Sequence, residues 1–244
     1  MSGHSKWANI KHKKEKTDAA RGKVFTKIGK EITLAVKQGG GDPASNSKLR
    51  DLIQKAKANN VPNDNIERCI KKAMGAGGEN YEEVSYEGYG PAGIAVLVTA
   101  TTDNRNRTAG NIRAYFSKYH GNMGQTGCVG YLFTDIGEIV INNEDGDVDE
   151  DKLMETALEA GASDFKKDGD VFVVTTEPDD VYAIQEALAA AGYEILSAEK
   201  TKQASTGVTL ENEDDIKFMN LLIEKLEDDD DVMDVYHNWE NCDD

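Results

Sequence analysis

Cysteine is too scarce in this chain to build a disulfide scaffold. Cys69, Cys128 and Cys242 are the only three in 244 residues, an odd number at wide spacing that matches neither a bridged framework nor a paired-cysteine zinc site. Long apolar runs are missing as well. None approaches the roughly 18 residues that a membrane span needs, and the basic N-terminus lacks the apolar stretch of a secretory signal. A cytoplasmic protein without a membrane partner is expected. Histidine is also sparse, and His4, His12, His120 and His237 sit in no recognisable catalytic motif. The glycine-rich stretches at 75–78, 88–93 and 121–130 have neither Walker spacing nor the dinucleotide fingerprint, so they read as turns and linkers. Neither an enzyme nor a cofactor nor a small-molecule substrate is expected.

Positive charge is in deficit over the whole chain, with 28 Lys and Arg against 45 Asp and Glu. The deficit is unevenly placed. Residues 1–72 hold 17 cations against 7 acids, net +10, which leaves residues 73–244 with 11 against 38, net −27. A cationic front third can grip phosphates while an anionic rear repels them. The rear contains two dense acidic runs. Glu144–Asp151 places aspartates at 145, 147, 149 and 151, but Glu150 stands where a calcium loop needs its glycine and Thr156 where it needs its closing glutamate. Glu227–Asp231 reads either as a solvated helix end, poorly placed against the helix dipole, or as a mimic of RNA. With only His4 and His12 near the front, no metal site is expected there.

Hydrophobic periodicity divides the chain. Residues 1–16 carry almost no apolar period and read as a basic flexible arm in the free protein. A helix capped by Thr17 or Asp18 shares one face among Val24, Phe25, Ile28, Ile32, Ala35 and Val36 and stops at Gly39–Gly41. A second follows Pro43 with Leu49, Leu52, Ile53 and Ala56, and a third is capped by Asn63 and carries Ile66, Cys69, Ile70 and Met74. After the linker at Gly75–Glu79 the period changes. Strands are predicted over 83–89, 93–102, 130–134, 137–142, 170–176, 194–201 and 232–238, with helices over 105–119, 149–161, 179–191 and 212–228. Segments 137–202 spell the split βαβ order of a ferredoxin-like sandwich.

The fold class expected is therefore α+β: an N-terminal three-helix bundle plus two small ferredoxin-like α+β domains, one inserted in the other. The expected boundaries are a basic arm at 1–16, a helical domain at 17–75, a discontinuous α+β domain at 80–134 with 206–244, and an inserted ferredoxin-like domain at 137–202.

Candidate binding residues follow from the charge. His4, Lys6, Trp7, Lys11, His12, Lys13, Lys14 and Lys16 of the arm are joined by Arg21, Lys23, Lys27 and Lys30 as the first helix begins. Lysines on a flexible segment release counterions on meeting phosphates, and Trp7 can stack on an unpaired base, worth about 1–3 kcal/mol. The competing reading is a solvated charged tail with Trp7 packed on the bundle. A second candidate is the segment 103–108, where Arg105 and Arg107 stand in the first turn of a helix against its dipole. With Arg113, they form a secondary phosphate contact; alternatively Asp103 caps the helix and the arginines pair with acids.

The segments GHSKWANIKHKK at 3–14, DAARGKVFTKIGKEI at 18–32, NVPNDNIERCIKKA at 60–73, YEGYGP at 86–91, TDNRNRT at 102–108 and DVYHN at 234–238 closely resemble the YebC family, also called YebC/PmpR, which includes mitochondrial translational-activator relatives. The resemblance spans essentially the whole chain. It implies a cytoplasmic, non-enzymatic, three-domain protein with a helical N-terminal domain and two α+β domains. Family members are described as DNA-binding transcriptional regulators, while relatives look like ribosome-associated translation factors that relieve stalled elongation. DNA and ribosomal RNA are both candidate partners, as is the ribosome itself. For DNA, the second and third helices can form a helix-turn-helix-like pair presenting Arg68, Lys71 and Lys72, although the turn lacks its usual glycine. For ribosomal RNA, a flexible lysine arm can fold into an irregular cavity while the acidic domains avoid RNA.

Overall fold

The computed structural model describes residues 18–75 and 80–241. Its first helix, α1 (Asp18–Gly39), is followed by α2 (Ser47–Ala58) and α3 (Asn63–Met74). Asn46 joins the first two. Its side-chain oxygen accepts the Leu49 N–H at 3.0 Å, while its amide donates to the Ala35 carbonyl at 2.9 Å and the Gly40 carbonyl at 2.8 Å. One buried side chain thus caps α2 and satisfies carbonyls near the end of α1. For this reason α2 starts at Ser47 rather than directly after Pro43. The expected cap of α3 also shifts by one residue. Asn63 is the first helical residue and Pro62 takes the cap position, its carbonyl accepting the Asn65 N–H at 2.9 Å. Proline's restricted φ prepares that entry without a side-chain cap. Ile28, Ile32, Val36, Leu49, Leu52, Ala56, Val61 and Ile66 meet in the bundle's core.

The chain divides into two units. One contains this bundle together with residues up to 130 and 211–237. Its sheet is built from β1 (Glu82–Tyr89), β2 (Ala95–Thr102), β3 (Asn122–Met123) and a strand from the end of the chain, β8 (Val232–His237), in the order β3-β1-β2-β8. The hairpin of β1 and β2 occupies the centre, and every pairing is antiparallel. Two helices complete the layer: α4 (Arg105–Lys118) and, later in the chain, α7 (Glu213–Asp228). Ile112 and Phe116 of α4 and Met219, Leu222 and Leu226 of α7 are fully buried. The two-residue β3 carries too little sequence to show a strand period, and no strand is predicted there.

The second unit comprises residues 131–210 with the segment after 237. Its order is β4 (Phe133–Asn142), α5 (Glu150–Glu159), β5 (Asp164–Asp168), β6 (Val171–Thr176), α6 (Val181–Ala190) and β7 (Ile195–Ala204). The sheet runs β5-β6-β4-β7, antiparallel throughout, which is the split βαβ arrangement. Ile139, Ile141, Leu153, Phe172, Val174, Ile184 and Leu188 form its core.

Two further places differ from expectation, the first being β5, which pairs with β6 although no strand is predicted there because its DFKKD carries a single apolar residue. In the second, the predicted strands at 130–134 and 137–142 are a short 3-10 turn at Gly130–Leu132 followed by a single strand, β4. Gly137 does not interrupt it. A Cβ there would come within 2.2 Å of Thr176 Oγ1 and 2.7 Å of Val181 Cβ, so glycine lets the start of α6 lie close against the sheet.

Candidate nucleic-acid interface

Of the arm residues predicted to bind nucleic acid, His4, Lys6, Trp7, Lys11, His12, Lys13, Lys14 and Lys16 lie outside the described residues, as does the expected cap Thr17. Arg21 falls within α1, but its side chain is likewise outside them. Lys23, Lys27 and Lys30 are described. Spaced at i, i+4 and i+7, they form one ridge of α1.

That ridge meets the acidic run at the end of α7. Lys23 Nζ stands 3.0 Å from Asp228 Oδ1, Lys27 Nζ donates to the Glu227 carbonyl at 2.6 Å, and Lys30 Nζ donates to the Asp230 carbonyl at 2.9 Å. A helix C-terminus carries unsatisfied carbonyls and partial negative charge, which acidic residues aggravate. The lysines of α1 offset both. Burial lowers the Lys27 pKa, and the surrounding carboxylates of Glu227, Asp230, Asp234 and Asp229 only partly oppose that shift.

Asp231 links this ridge to the arginine segment. Its Oδ1 lies 2.7 Å from Lys30 Nζ, and its Oδ2 accepts from Arg107 Nη2 at 2.7 Å, Thr108 Oγ1 at 2.8 Å and Thr102 Oγ1 at 3.2 Å. Its side chain is only 7% exposed. Burial alone would raise the Asp231 carboxyl, but the hydrogen bonds from Arg107, Lys30 and Thr108 outweigh it and hold the pKa well below the usual carboxylate range. The same contacts raise Arg107 further. Asp229 extends the cluster, its Oδ2 accepting from Tyr115 Oη at 3.0 Å and Asn111 Nδ2 at 3.3 Å. Burial, together with that carboxylate, pushes the Tyr115 hydroxyl up to about 12.

The arginines thus fall into two groups. Arg107 is held by Asp231 and by Asp103, the latter at 2.8 Å. Arg105 and Arg113 are exposed and form no ion pair with a described residue. Asn104, one residue beyond the predicted Asp103, is the cap of α4: its Oδ1 accepts the Arg107 N–H at 3.1 Å.

The α2–α3 pair presents Arg68, Lys71 and Lys72 on the exposed side of α3. Asn60 supplies what the missing glycine would, adopting φ +58 in the turn, because asparagine tolerates the left-handed region better than most residues. Asp64 and Glu67 share that shallow surface, and Lys71 pairs with Glu67 at 3.5 Å.

The glycine-rich loop at 121–130 makes the kind of backbone nest that holds anions, but the chain fills it. Glu87 accepts N–H groups from Gly127 at 2.7 Å, Val129 at 2.7 Å and Gly130 at 2.6 Å. Burial would raise this carboxyl, yet the three backbone donors lower it overall. A phosphate has no place there while Glu87 does. Sequence reasoning assigns no role to Glu87 and reads Asp229 and Asp231 only as part of a solvated helix end or an RNA mimic, not as partners of the lysines and Arg107. The one available signal was an acidic run at a helix C-terminus, which calls for cations brought from elsewhere in the chain.

Residues 5–76 match the TACO1/YebC protein N-terminal domain, and residues 81–239 match the TACO1/YebC second and third domain. Relatives named probable transcriptional regulatory protein include one from Lachnoclostridium phytofermentans, 55% identical over 241 residues, covering 98% of this chain and 100% of that relative. Another, from Acetivibrio thermocellus, is 57% identical over 240 residues, covering 98% and 99%. The crystal structure of a conserved hypothetical protein from Aquifex aeolicus superposes with a TM-score of 0.80 at 42% identity, covering 92% of each chain.

Proposed function

The chain belongs to the TACO1/YebC family, and on that premise we propose that it is a non-enzymatic regulator of gene expression that binds DNA as a transcriptional regulator. The observation that carries this reading is the concentration of positive charge, net +10, in residues 1–72. The names of the relatives support it, as does the exposed Arg68, Lys71 and Lys72 side of α3 behind a short turn. Contact runs mainly through residues 4–30, with Arg105, Arg107 and Arg113 as a secondary surface. In this reading the protein works in the cytoplasm; among the described residues no helix is long and apolar enough to cross a membrane. Its organisation is an arm at 1–16, a helical domain at 17–75, and a discontinuous domain at 80–134 with 206–244 interrupted by 137–202.

A second reading, a translation factor bound to ribosomal RNA, draws support from the net −27 of residues 73–244, which disfavours broad contact with duplex DNA. One experiment separates the two: ultraviolet crosslinking in cells with sequencing of recovered DNA and RNA, for the natural protein and for K11A/K13A/K14A. Enrichment at discrete promoters that the triple variant loses is the expected result. Arm-dependent crosslinks concentrated in ribosomal RNA would replace the transcription reading with the translation one.

A further inference from the structure

The acidic segment 227–231 lies on cations that the sequence offers to phosphate. Lys23, Lys27 and Lys30 all contact it, and its last residue also takes Arg107. These cations come from both basic regions of the sequence, the start of α1 and the arginine segment. Glu227, Asp228 and Asp230 are exposed, whereas Asp231 is buried. The segment therefore has a buried anchor and a solvent-facing set of carboxylates along the lysine ridge. Lys23 is about half exposed, but Lys30 retains only 14% of its side-chain surface. A phosphodiester backbone has little access to Lys30 while the segment is seated.

We infer that residues 227–231 are a built-in competitor for nucleic acid, seated on the α1 lysine ridge so that a phosphodiester backbone engages Lys23 only by displacing the Asp228 carboxylate and Lys27 only by displacing the Glu227 carbonyl, with the exposed carboxylates of Glu227 and Asp230 adding negative charge beside Lys27. This rests on the nucleic-acid-binding reading and adds a control to it. Both occupants present acceptor oxygens to the same ammonium groups, the segment a carboxylate to Lys23 and a carbonyl to Lys27, so they exclude one another. The contact sets a threshold. Weak or short polyanions fail to lift the segment, while a ligand with many phosphates gains enough contacts elsewhere to do so. The helical contacts of Asp231 keep the segment tethered near its seat after release.

The test is a cycle of full-length variants, read by binding to a short DNA duplex and, in parallel, to a structured RNA. E227Q/D228N/D230N neutralises the exposed carboxylates while keeping their shape. E144Q/D145N/D147N, in the other acidic run, is the charge-matched control, because removing any three acids weakens general repulsion. K23A/K27A supplies the background in which the two ammonium groups contested by segment and phosphate are gone while Lys30 and Arg107 still hold Asp231. The expected result is a gain of roughly tenfold in affinity for the first variant, no more than about twofold for the control, and loss of the difference between them in the K23A/K27A background. Amide hydrogen exchange of the natural protein should show residues 228–230 losing protection when the duplex or RNA is added. Equal gains in both amide variants overturn the inference, as does a gain that survives in the K23A/K27A background. Binding by the natural protein with no gain in the first variant also overturns it, and leaves the nucleic-acid reading standing. Absence of binding by the natural protein and every variant to both probes overturns the two together. The relative size of the gain on DNA and RNA identifies which backbone the segment competes with.

Discussion

The two acidic runs, Glu144–Asp151 and Glu227–Asp231, are similar in composition and opposite in setting. The first leads into a helix N-terminus: Asp149 caps α5, its Oδ1 accepting the Lys152 N–H at 3.1 Å, and Glu150 and Asp151 occupy the favourable first turn. Glu144, Asp145 and Asp147 remain exposed. The second lies at a helix C-terminus, where the dipole opposes it, and is held by four cations from α1 and α4. The end of the helix on which acids fall thus decides whether local structure stabilises them or a distant part of the chain must.

The largest expected effect sharpens this contrast. D231A leaves Lys30 and Arg107 without their shared carboxylate and should destabilise the fold by about 3 kcal/mol or more, read as a lower midpoint in urea. An equally stable D231A would show that the second run is as solvated as the first. Acidification gives the next test. Because the folded Asp231 carboxyl lies below the ordinary range, its contribution is fully present above the unfolded value of about 3.9 and disappears as pH falls through the folded value. The stability gap between the natural protein and D231N should therefore narrow below that pH and stay constant above it, in an acid titration monitored by circular dichroism.

A smaller effect belongs to the first run. D149A removes only a cap and should cost about 1 kcal/mol, while D149N, which retains the acceptor oxygen, should cost a few tenths; urea melts of both variants check this. The smallest effect is expected at Lys23. Its pair with Asp228 is about half exposed on both sides, so K23A should change stability by under about 1 kcal/mol, less at high salt. A loss comparable to that of D231A would mean that the whole ridge, not Asp231 alone, anchors the segment.

Much of the architecture was legible before the structure. The helical period over 18–74 and the change of period beyond residue 80 are local signals, and the helices α1 to α7 lie close to their expected places. The misplacements have local physical reasons. Gly137 resembles a strand break but is a point of close approach to α6, and Asn46 moves the start of α2 by holding two carbonyls that sequence spacing does not connect to it. The candidate site was less legible. The basic residues were visible as charge, but their partners were not. Lys23 and Asp228 are 205 positions apart, and neither carries a local mark of the other.

The sequence by itself determined the helices and most of the strands, the division of charge and the membership of a family, because periodicity, composition and motifs are written in neighbouring residues. Only the tertiary structure decided that Lys23, Lys27, Lys30 and Arg107 are met by the chain's own acids and that Glu87 fills the glycine-rich nest. Those outcomes depend on which distant surfaces are brought within about 3 Å, where a charge-assisted hydrogen bond forms and the requirement that buried charge be paired takes effect.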